Sequence, residues 1–558
     1  MRLTHKLPLR SLVIVNFLVA LWIALTGNLS FLGRLDRLGG PSLLHNAAFM
    51  TCTVLLLTAY VGIVLQWLAW GRMARPLLTV ILLASALCAF FVDTYGVGID
   101  AGQIQNLLET DVREAADLVS LRMLAYLLLG GLLPVWWLWR RPLTQPGFMV
   151  RQQHRLVATL AGLALITGIA GTFYADYASL FRGHREVRLT INPHNYLSGL
   201  NSYFRHQATL APQPLLPYGR DAHRVVRAGG RTKPVLLVLV VGETARAESF
   251  GLNGYGRDTT PELARRQVIN FSRVSACGTA TAVSVPCMFS GYTRKTYDAK
   301  VASHREGLLD IIQRAGYRVT WIDNNSGCKG TCDRVGQMAA PPAVRKAWCQ
   351  GRECLDELLA ATLATHLDQG TPADEVVVLH QAGSHGPAYS HRYPAAFRRY
   401  TPDCTTSALQ NCSRQEIVNA YDNTIAYTDH VLAGIIDVLK AREDRYQTAF
   451  LYVSDHGEST GEHGLYLHGA PYLLAPSQQT HVPMVAWLSD GFSQAMGDGR
   501  TCLARQRDTE LSHDNLFPTM LGLLNIRTGV RDASLDISND CRQPRLAQHE
   551  SADMAAIR

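Results

Sequence analysis

Two shortages divide this 558-residue chain. Only two of its twelve cysteines, Cys52 and Cys88, precede residue 277, and nearly all of its long apolar runs end before residue 180. The first shortage excludes a disulfide framework from the N-terminal third, where both cysteines sit inside apolar runs and act as small hydrophobes. The second excludes further membrane crossings from the rest. A CxxC pair is missing throughout, which weighs against zinc knuckles made from the ten later cysteines. Nucleic-acid-binding motifs are missing too, so no nucleic-acid partner is expected.

Five segments are long and apolar enough to cross a bilayer, at about 11–32, 46–70, 76–96, 119–139 and 156–177. The first follows MRLTHKLPLR in the manner of a signal peptide. Its core is too long and lacks a small-residue cleavage site, so it reads as an uncleaved anchor. Lys and Arg cluster at the N-terminus, at Gly71–Arg75 and across RRPLTQPGFMVRQQHR (Arg140–Arg155), which places those faces in the cytoplasm. Five crossings then put everything after about residue 178 outside the cytoplasm, in a bacterial-type inner-membrane protein. Between the third and fourth spans, segment 98–116 carries Asn106, Thr110 and Glu114 at i, i+4 and i+8, one face of a helix. That face is either solvated or turned to lipid. Ile191–His206 is amphipathic and suits either an interface or a linker, and Ala211–Arg231 reads as a tether. The expected division is therefore 1–178 membrane, 179–230 linker and 231–558 soluble domain.

The ten later cysteines fall into sequential pairs, Cys277/Cys287, Cys328/Cys332, a third counted at 348/354, Cys404/Cys412 and Cys502/Cys541. Their even number and short spacings predict local disulfides in an oxidising compartment, in agreement with the orientation argued from the basic loops. From Pro234 onward short β-branched runs alternate with helical patterns, predicting an α/β domain with a mostly parallel sheet. Polar residues follow each strand candidate: Glu243 after PVLLVLVVG, Asp323 to Lys329 after RVTWI, His380 to His385 after EVVVL, and Asp455 with His456 after AFLYVS. Open α/β sheets bind ligands beyond the carboxyl ends of their strands, so four loops would share one rim. CGTATAVSVPCMFS (Cys277–Ser290) leads from a polar loop into a helical run. A hydroxyl at that helix start has its alkoxide favoured by the macrodipole, although a Ser/Thr-rich loop also serves as an ordinary cap. Glu243, Asp455 and His456 are ligand types that zinc prefers, with surface charge or helix capping as the plain alternative.

GETARAESFGLNGYGRDTTP, CGTATAVSVPCMFS, DNNSGCKG, HQAGSHGPAYSHRYP, NAYDNTIAYTD and SDHGESTGEHGLYLHG, in this order, resemble the lipid A phosphoethanolamine transferases, the family that includes the mobile colistin-resistance enzymes. The resemblance covers essentially the whole chain and implies an alkaline-phosphatase-like catalytic domain in the periplasm. It implies a zinc ion on Glu243, Thr281, Asp455 and His456, with Thr281 rather than Thr279 as nucleophile. It also implies that Lys329, His385, His468 and, by a weaker match, Ser326 meet the phosphoethanolamine, with a second metal near His385 and His468 in some members. Asn106, Thr110 and Glu114 then line the lipid entrance. Some relatives carry an acidic residue where this chain has Thr296, and no role is carried to it. The implied reaction moves phosphoethanolamine from phosphatidylethanolamine to a lipid A phosphate through a phosphoethanolamine-threonine intermediate, with polymyxin resistance as the outcome and a monomer as the working form. Lipopolysaccharide core sugars or another glycan are the alternative acceptors. A sulfatase would need a CxPSR-type motif, which is absent. A lipoteichoic-acid-synthase-like phosphoglycerol transferase would share the threonine and five spans but not this cysteine set. The formal net charge of +8 suits work against anionic head groups.

Overall fold

The computed structural model describes residues 11–38, 42–109, 115–116, 118–143, 147–183, 185–208, 214–225, 233–350 and 353–542. The chain forms two compact units, one of Met1–Leu108, Val119–Arg205 and His463–Leu465, the other of Glu109–Leu118, His206–Glu462 and Tyr466–Arg558.

The first unit contains helices α1 (Leu12–Thr26), α2 (Leu29–Leu38), α3 (Leu43–Leu68), α4 (Ala74–Tyr95), α5 (Ala101–Glu109), α6 (Leu121–Arg140), α7 (Phe148–Thr172) and α8 (His194–Ala208). α3, α6, α7 and α4 with the turn before it are long and apolar enough to span a membrane, and α1 with α2 forms a fifth candidate span, bent by 57°. The bend has an identifiable cause. Asn28 Nδ2 donates to the Ile23 and Asn192 carbonyls, each at 3.0 Å, and Asn28 Oδ1 accepts from Asn192 N at 2.9 Å. A side-chain amide thus replaces the helix bonds lost at the break. The last span begins at Phe148, eight residues before its apolar stretch was expected at 156. Its extra turns hold Arg151 and Arg155, whose guanidinium groups lie 5.9 and 5.6 Å from the Trp70 ring, a placement hydropathy alone does not register. α8 is no plain linker either: Tyr196 is buried, and its hydroxyl lies 3.2 Å from Ser85 Oγ and 3.3 Å from the Ile81 carbonyl, both on α4.

The second unit is built on an eight-stranded sheet. Its strands are β1 (Val235–Gly242), β2 (Ile269–Ser275), β3 (Arg318–Asp323), β4 (Gly336–Met338), β5 (Glu375–His380), β6 (Gln447–Ser454), β7 (His481–Leu488) and β8 (Leu511–Ser512). They lie in the order β8-β2-β7-β6-β1-β5-β3-β4, all parallel to their neighbours except β7, which is antiparallel to both β2 and β6. The four central strands expected from sequence, β1, β3, β5 and β6, are adjacent, and every residue of β1 is buried. Strands covered on both faces read as continuous apolar runs. β2 alternates buried and more exposed residues, and β7 carries Pro483 where its register with β2 shifts between Val482 and Met484. A proline at a bulge is tolerated, yet in sequence it argues against a strand. Helices α9 (Thr281–Ser290) and α10 (Arg414–Lys440) belong to this unit. Five disulfides, Cys277–Cys287, Cys328–Cys332, Cys349–Cys354, Cys404–Cys412 and Cys502–Cys541, join sequential cysteines. A pairing counted from position 348 is one residue early, since that side chain is Trp348. Cys52 and Cys88 are free.

Candidate active site

Register brings the site together. β1 and β6 are parallel with Gly242 opposite Ser454, so Glu243 and Asp455 leave the sheet side by side. β5 and β3 end level with them, with Val241 opposite His380 and His380 opposite Asp323. Gly383 follows in the β5 loop with φ +54°, and a Cβ there would lie 2.4 Å from the Glu243 carbonyl oxygen. Only glycine serves where the conformation is left-handed and the backbones touch.

Thr281 opens α9, and its Oγ1 donates to Glu243 Oε2 at 2.9 Å. The same oxygen lies 3.3 Å from His456 Nε2. His456 Nε2 is in turn 3.3 Å from Glu243 Oε1 and 3.4 Å from Asp455 Oδ2. His456 Nδ1 lies 3.1 Å from the Gly457 carbonyl. A carbonyl only accepts, so the proton sits on Nδ1 and Nε2 offers its lone pair to the cluster. Glu243, Asp455 and His456 are all buried, and one ligand atom from each lies within 4.8 Å of the others. Asp455 Oδ2 has no hydrogen-bond donor among the described residues. Burial raises the Asp455 carboxyl above its usual range. Burial, then repulsion from His468, holds His456 well below the usual imidazole range. Two buried carboxylates, a neutral imidazole with its lone pair inward and a hydroxyl fit a divalent cation; without one, two buried carboxylates this close cost several kcal/mol of desolvation (on the order of). A second group of metal-ligand types, Cys328, Cys332 and Asp333, offers no thiolate because its cysteines are bonded to each other.

Thr279, the other threonine of the motif, donates its hydroxyl to the Ala470 carbonyl at 2.6 Å and points away from the cluster. Ser284, one turn into α9, accepts from Gly278 N at 2.9 Å and donates to the Asp455 carbonyl at 2.6 Å. It locks the threonine loop to the aspartate strand. The Cys277–Cys287 bridge ties the same loop to α9.

His468 lies beside His456 with ring centroids 4.5 Å apart and the planes tilted by 40°, and the His385 ring lies 5.1 Å from that of His468. Burial, followed by repulsion from His468, Arg392 and His456, holds His385 well below its usual range. Lys329, at φ +51°, bonds the Ser326 carbonyl at 3.2 Å and Oγ at 3.1 Å. Their loop reaches the cluster through Asn325, whose Nδ2 donates to Glu243 Oε2 at 2.7 Å. Asn106 lies on α5 in the other unit; Thr110 and Glu114 lie outside the described residues.

A family model described as Phosphoethanolamine transferase EptA/EptB matches residues 57–208, and one described as Sulfatase matches 236–526. Phosphoethanolamine transferase EptA of Escherichia coli (strain K12) is 40% identical over 544 residues, 96% of this chain and 98% of that protein. The chain belongs to the EptA family of phosphoethanolamine transferases. The phosphatidylethanolamine transferase Mcr-1 of Escherichia coli is 36% identical to this transferase over 518 residues, 91% of this chain and 94% of that one. The integral membrane lipooligosaccharide phosphoethanolamine transferase A of Neisseria meningitidis matches its structure with a TM-score of 0.91 at 35% identity, over 95% of this chain and 99% of that one. Like those relatives, the transferase is a multi-pass inner-membrane protein with a periplasmic catalytic domain.

Four residues of the transferase site receive no individual role from the sequence. Asn325 and Ser284 look like ordinary loop and helix polar residues. Glu458, buried, accepts from Tyr389 Oη at 2.6 Å and from His468 Nδ1 at 2.8 Å, which fixes the ring. Its position two residues after His456 in SDHGE was the one available signal. His513, also buried, accepts from Cys277 N at 3.0 Å through Nδ1 and bonds the Ser454 carbonyl at 2.9 Å through Nε2. Nothing local marks it, because its partners are brought by the sheet.

Proposed function

We propose that this transferase moves phosphoethanolamine from phosphatidylethanolamine to a phosphate of lipid A through a covalent adduct on Thr281. The convergence of the Thr281 hydroxyl, Glu243, Asp455 and His456 Nε2 at the start of α9 carries the reading. Zinc held by Glu243, Thr281, Asp455 and His456 would supply a lowered threonine pKa and compensation for phosphoryl charge. In the first displacement Thr281 Oγ1 forms a bond to phosphorus while the bond to the glycerol oxygen breaks, and diacylglycerol leaves. The helix start and the bridged loop hold that oxygen for attack. His468, whose Nδ1–H donates to Glu458, turns Nε2 to the proton transfers: Nε2 takes up the proton that Thr281 gives up and passes it to the departing glycerol oxygen. In the second displacement an oxygen of a lipid A phosphate bonds to phosphorus, the bond to Thr281 breaks, and the proton of the acceptor's phosphate hydroxyl, taken by His468 Nε2, passes to the threonine. Lys329 and Ser326 hold the phosphoryl oxygens, with His385 alongside. A second zinc near His385 and His468 is the alternative use of those rings.

Masking a lipid A phosphate with an ammonium group removes outer-surface negative charge, so polymyxin resistance follows. Asn106, Thr110 and Glu114 are assigned to the lipid entrance: Asn106→Ala should lower turnover of the lipid donor while sparing a short, water-soluble phosphoethanolamine ester. Two measurements test the main reading. Peptide mass spectrometry after incubation with phosphatidylethanolamine should find one phosphoethanolamine on the peptide holding Thr281. Lipopolysaccharide from cells with and without the protein should differ by phosphoethanolamine on lipid A; an addition confined to core sugars would replace the acceptor, and an unmodified Thr281 would remove the adduct.

A further inference from the structure

From residue 217 onward, only two large apolar side chains among the described residues are exposed, Leu473 at 94% and Leu474 at 40%. A lone exposed leucine is ordinary; a neighbouring pair led by the most exposed large apolar side chain among the described residues is not, and the unit's other exposed pair among them, Leu215 and Leu216, is less open at 45% and 41%. The pair occupies a turn, Pro471–Ala475, in which Leu474 N donates to the Pro471 carbonyl at 2.8 Å. This turn is hooked to the nucleophile loop at three points. Gly469 N donates to the Thr279 carbonyl at 2.7 Å, Thr279 Oγ1 donates to the Ala470 carbonyl at 2.6 Å, and Tyr472 Oη donates to the Ala276 carbonyl at 2.9 Å. Beside it, the Arg294 guanidinium carbon lies 3.2 Å from the centre of the Tyr472 ring. Lys295 follows, exposed, and Asp514 accepts from Arg294 N.

We propose that Pro471–Ala475 is a membrane-docking element: Leu473 and Leu474 enter the boundary between head groups and acyl chains, and Arg294 with Lys295 meets the anionic lipid surface. Leucines at a tip backed by cations are the composition that lies in a bilayer interface. The three hydrogen bonds make the turn and the Thr279–Thr281 loop one rigid piece, so docking sets the height of the nucleophile above the membrane. The functional value of that height rests on the lipid-donor reading; the docking itself does not.

The test uses the full-length protein in vesicles of phosphatidylethanolamine and phosphatidylglycerol. With Leu473→benzoylphenylalanine, irradiation should yield adducts of phospholipid mass at position 473, and Asp508→benzoylphenylalanine, exposed on the same unit, should yield none. Adducts at 473 only with peptides of residues 1–205, or equal lipid adducts at 508, would overturn the proposal. In a second arm, Leu473→Ser with Leu474→Ser should raise KM for vesicle phosphatidylethanolamine by about tenfold. kcat, the unfolding midpoint and turnover of a water-soluble phosphoethanolamine ester should not change. An unchanged KM, or equal loss on both substrates, would count against docking. Because cross-linking requires no turnover, lipid adducts on a protein that fails to use phosphatidylethanolamine would refute the donor and leave the docking standing.

Discussion

The two units bury polar groups by opposite rules. Among the described residues of the membrane unit, the buried polar side chains are neutral amides and hydroxyls, with Arg155 the single charged one. They bond largely to main-chain carbonyls, as Asn28 does at the α1–α2 break. Among its described residues the catalytic unit buries nine carboxylates, Glu243, Asp356, Asp455 and Glu458 among them, and it holds all five disulfides. A charge within a bilayer has no water to fall back on and little to pair with. A folded domain can build the partners first: Asp356 accepts from Asn324 Nδ2, Ala382 N and Gly383 N at 2.7, 3.0 and 2.9 Å. Charge is thus concentrated where a scaffold fixes it, and that is where the chemistry lies.

The largest effect is expected at Thr281. Thr281→Ala should cut phosphoethanolamine transfer by about 10⁴-fold or more, with unfolding shifted by no more than about 0.5 kcal/mol. Transfer retained in Thr281→Ala but lost in Thr279→Ala would move the nucleophile two residues. Cross-links give the next effect. Cys277→Ser with Cys287→Ser opens a bridge of sequence separation 10, and the catalytic unit should lose about 3 kcal/mol by denaturant titration. Reductant should act likewise on that unit and leave the helical signal of the spans intact.

The pH response sharpens the same contrast. Burial lowers the His513 pKa from 6.5 to about 4. Folding therefore weakens proton binding, and between those values the unfolded chain holds more protons. Stability that is full above pH 6.5 should decline as pH falls through the window, by up to about 3 kcal/mol. His513→Gln, which retains an acceptor and a donor, should flatten that slope in midpoints measured against pH; an unchanged slope would assign it to other groups. The smallest effect belongs to the membrane unit. Asn28→Ala should cost about 1 kcal/mol and leave the catalytic unit's unfolding unmoved.

The sequence was most readable where one signal served one purpose. β1, β3, β5 and β6 are covered on both faces, so their apolar runs are continuous and polar residues at their ends stand out as a rim. β2 and β7 hid because partial exposure and Pro483 dilute the pattern. The membrane spans were readable in number; their ends were not, because Asn28 breaks one and Arg151 and Arg155 extend another while remaining polar. Glu243, Asp455 and His456 could be picked out by type and position, whereas choosing Thr281 over Thr279 required the family resemblance. The hydrogen bond from Thr279 to Ala470 supplies the physical reason. Ser284, Asn325 and His513 act through partners up to 236 residues away, information that register holds and local spacing does not.

His513 also sets a schedule. The bridge from Cys277 to Cys287 is local and can close early, but the imidazole that clamps Cys277 to Ser454 lies 236 positions downstream of that cysteine. A chain crossing the membrane in order of synthesis carries Thr281, Glu243, Asp455 and His456 into the periplasm before this clamp. Maturation should therefore be two-step, with oxidation first and activity withheld until the last part of the polypeptide docks. Chains released before residue 513 should carry the Cys277–Cys287 bridge yet form no adduct with phosphatidylethanolamine, and adduct formation by such a fragment would refute the schedule. The Thr281 hydroxyl would thus stay idle beside the proposed lipid donor until the chain is whole.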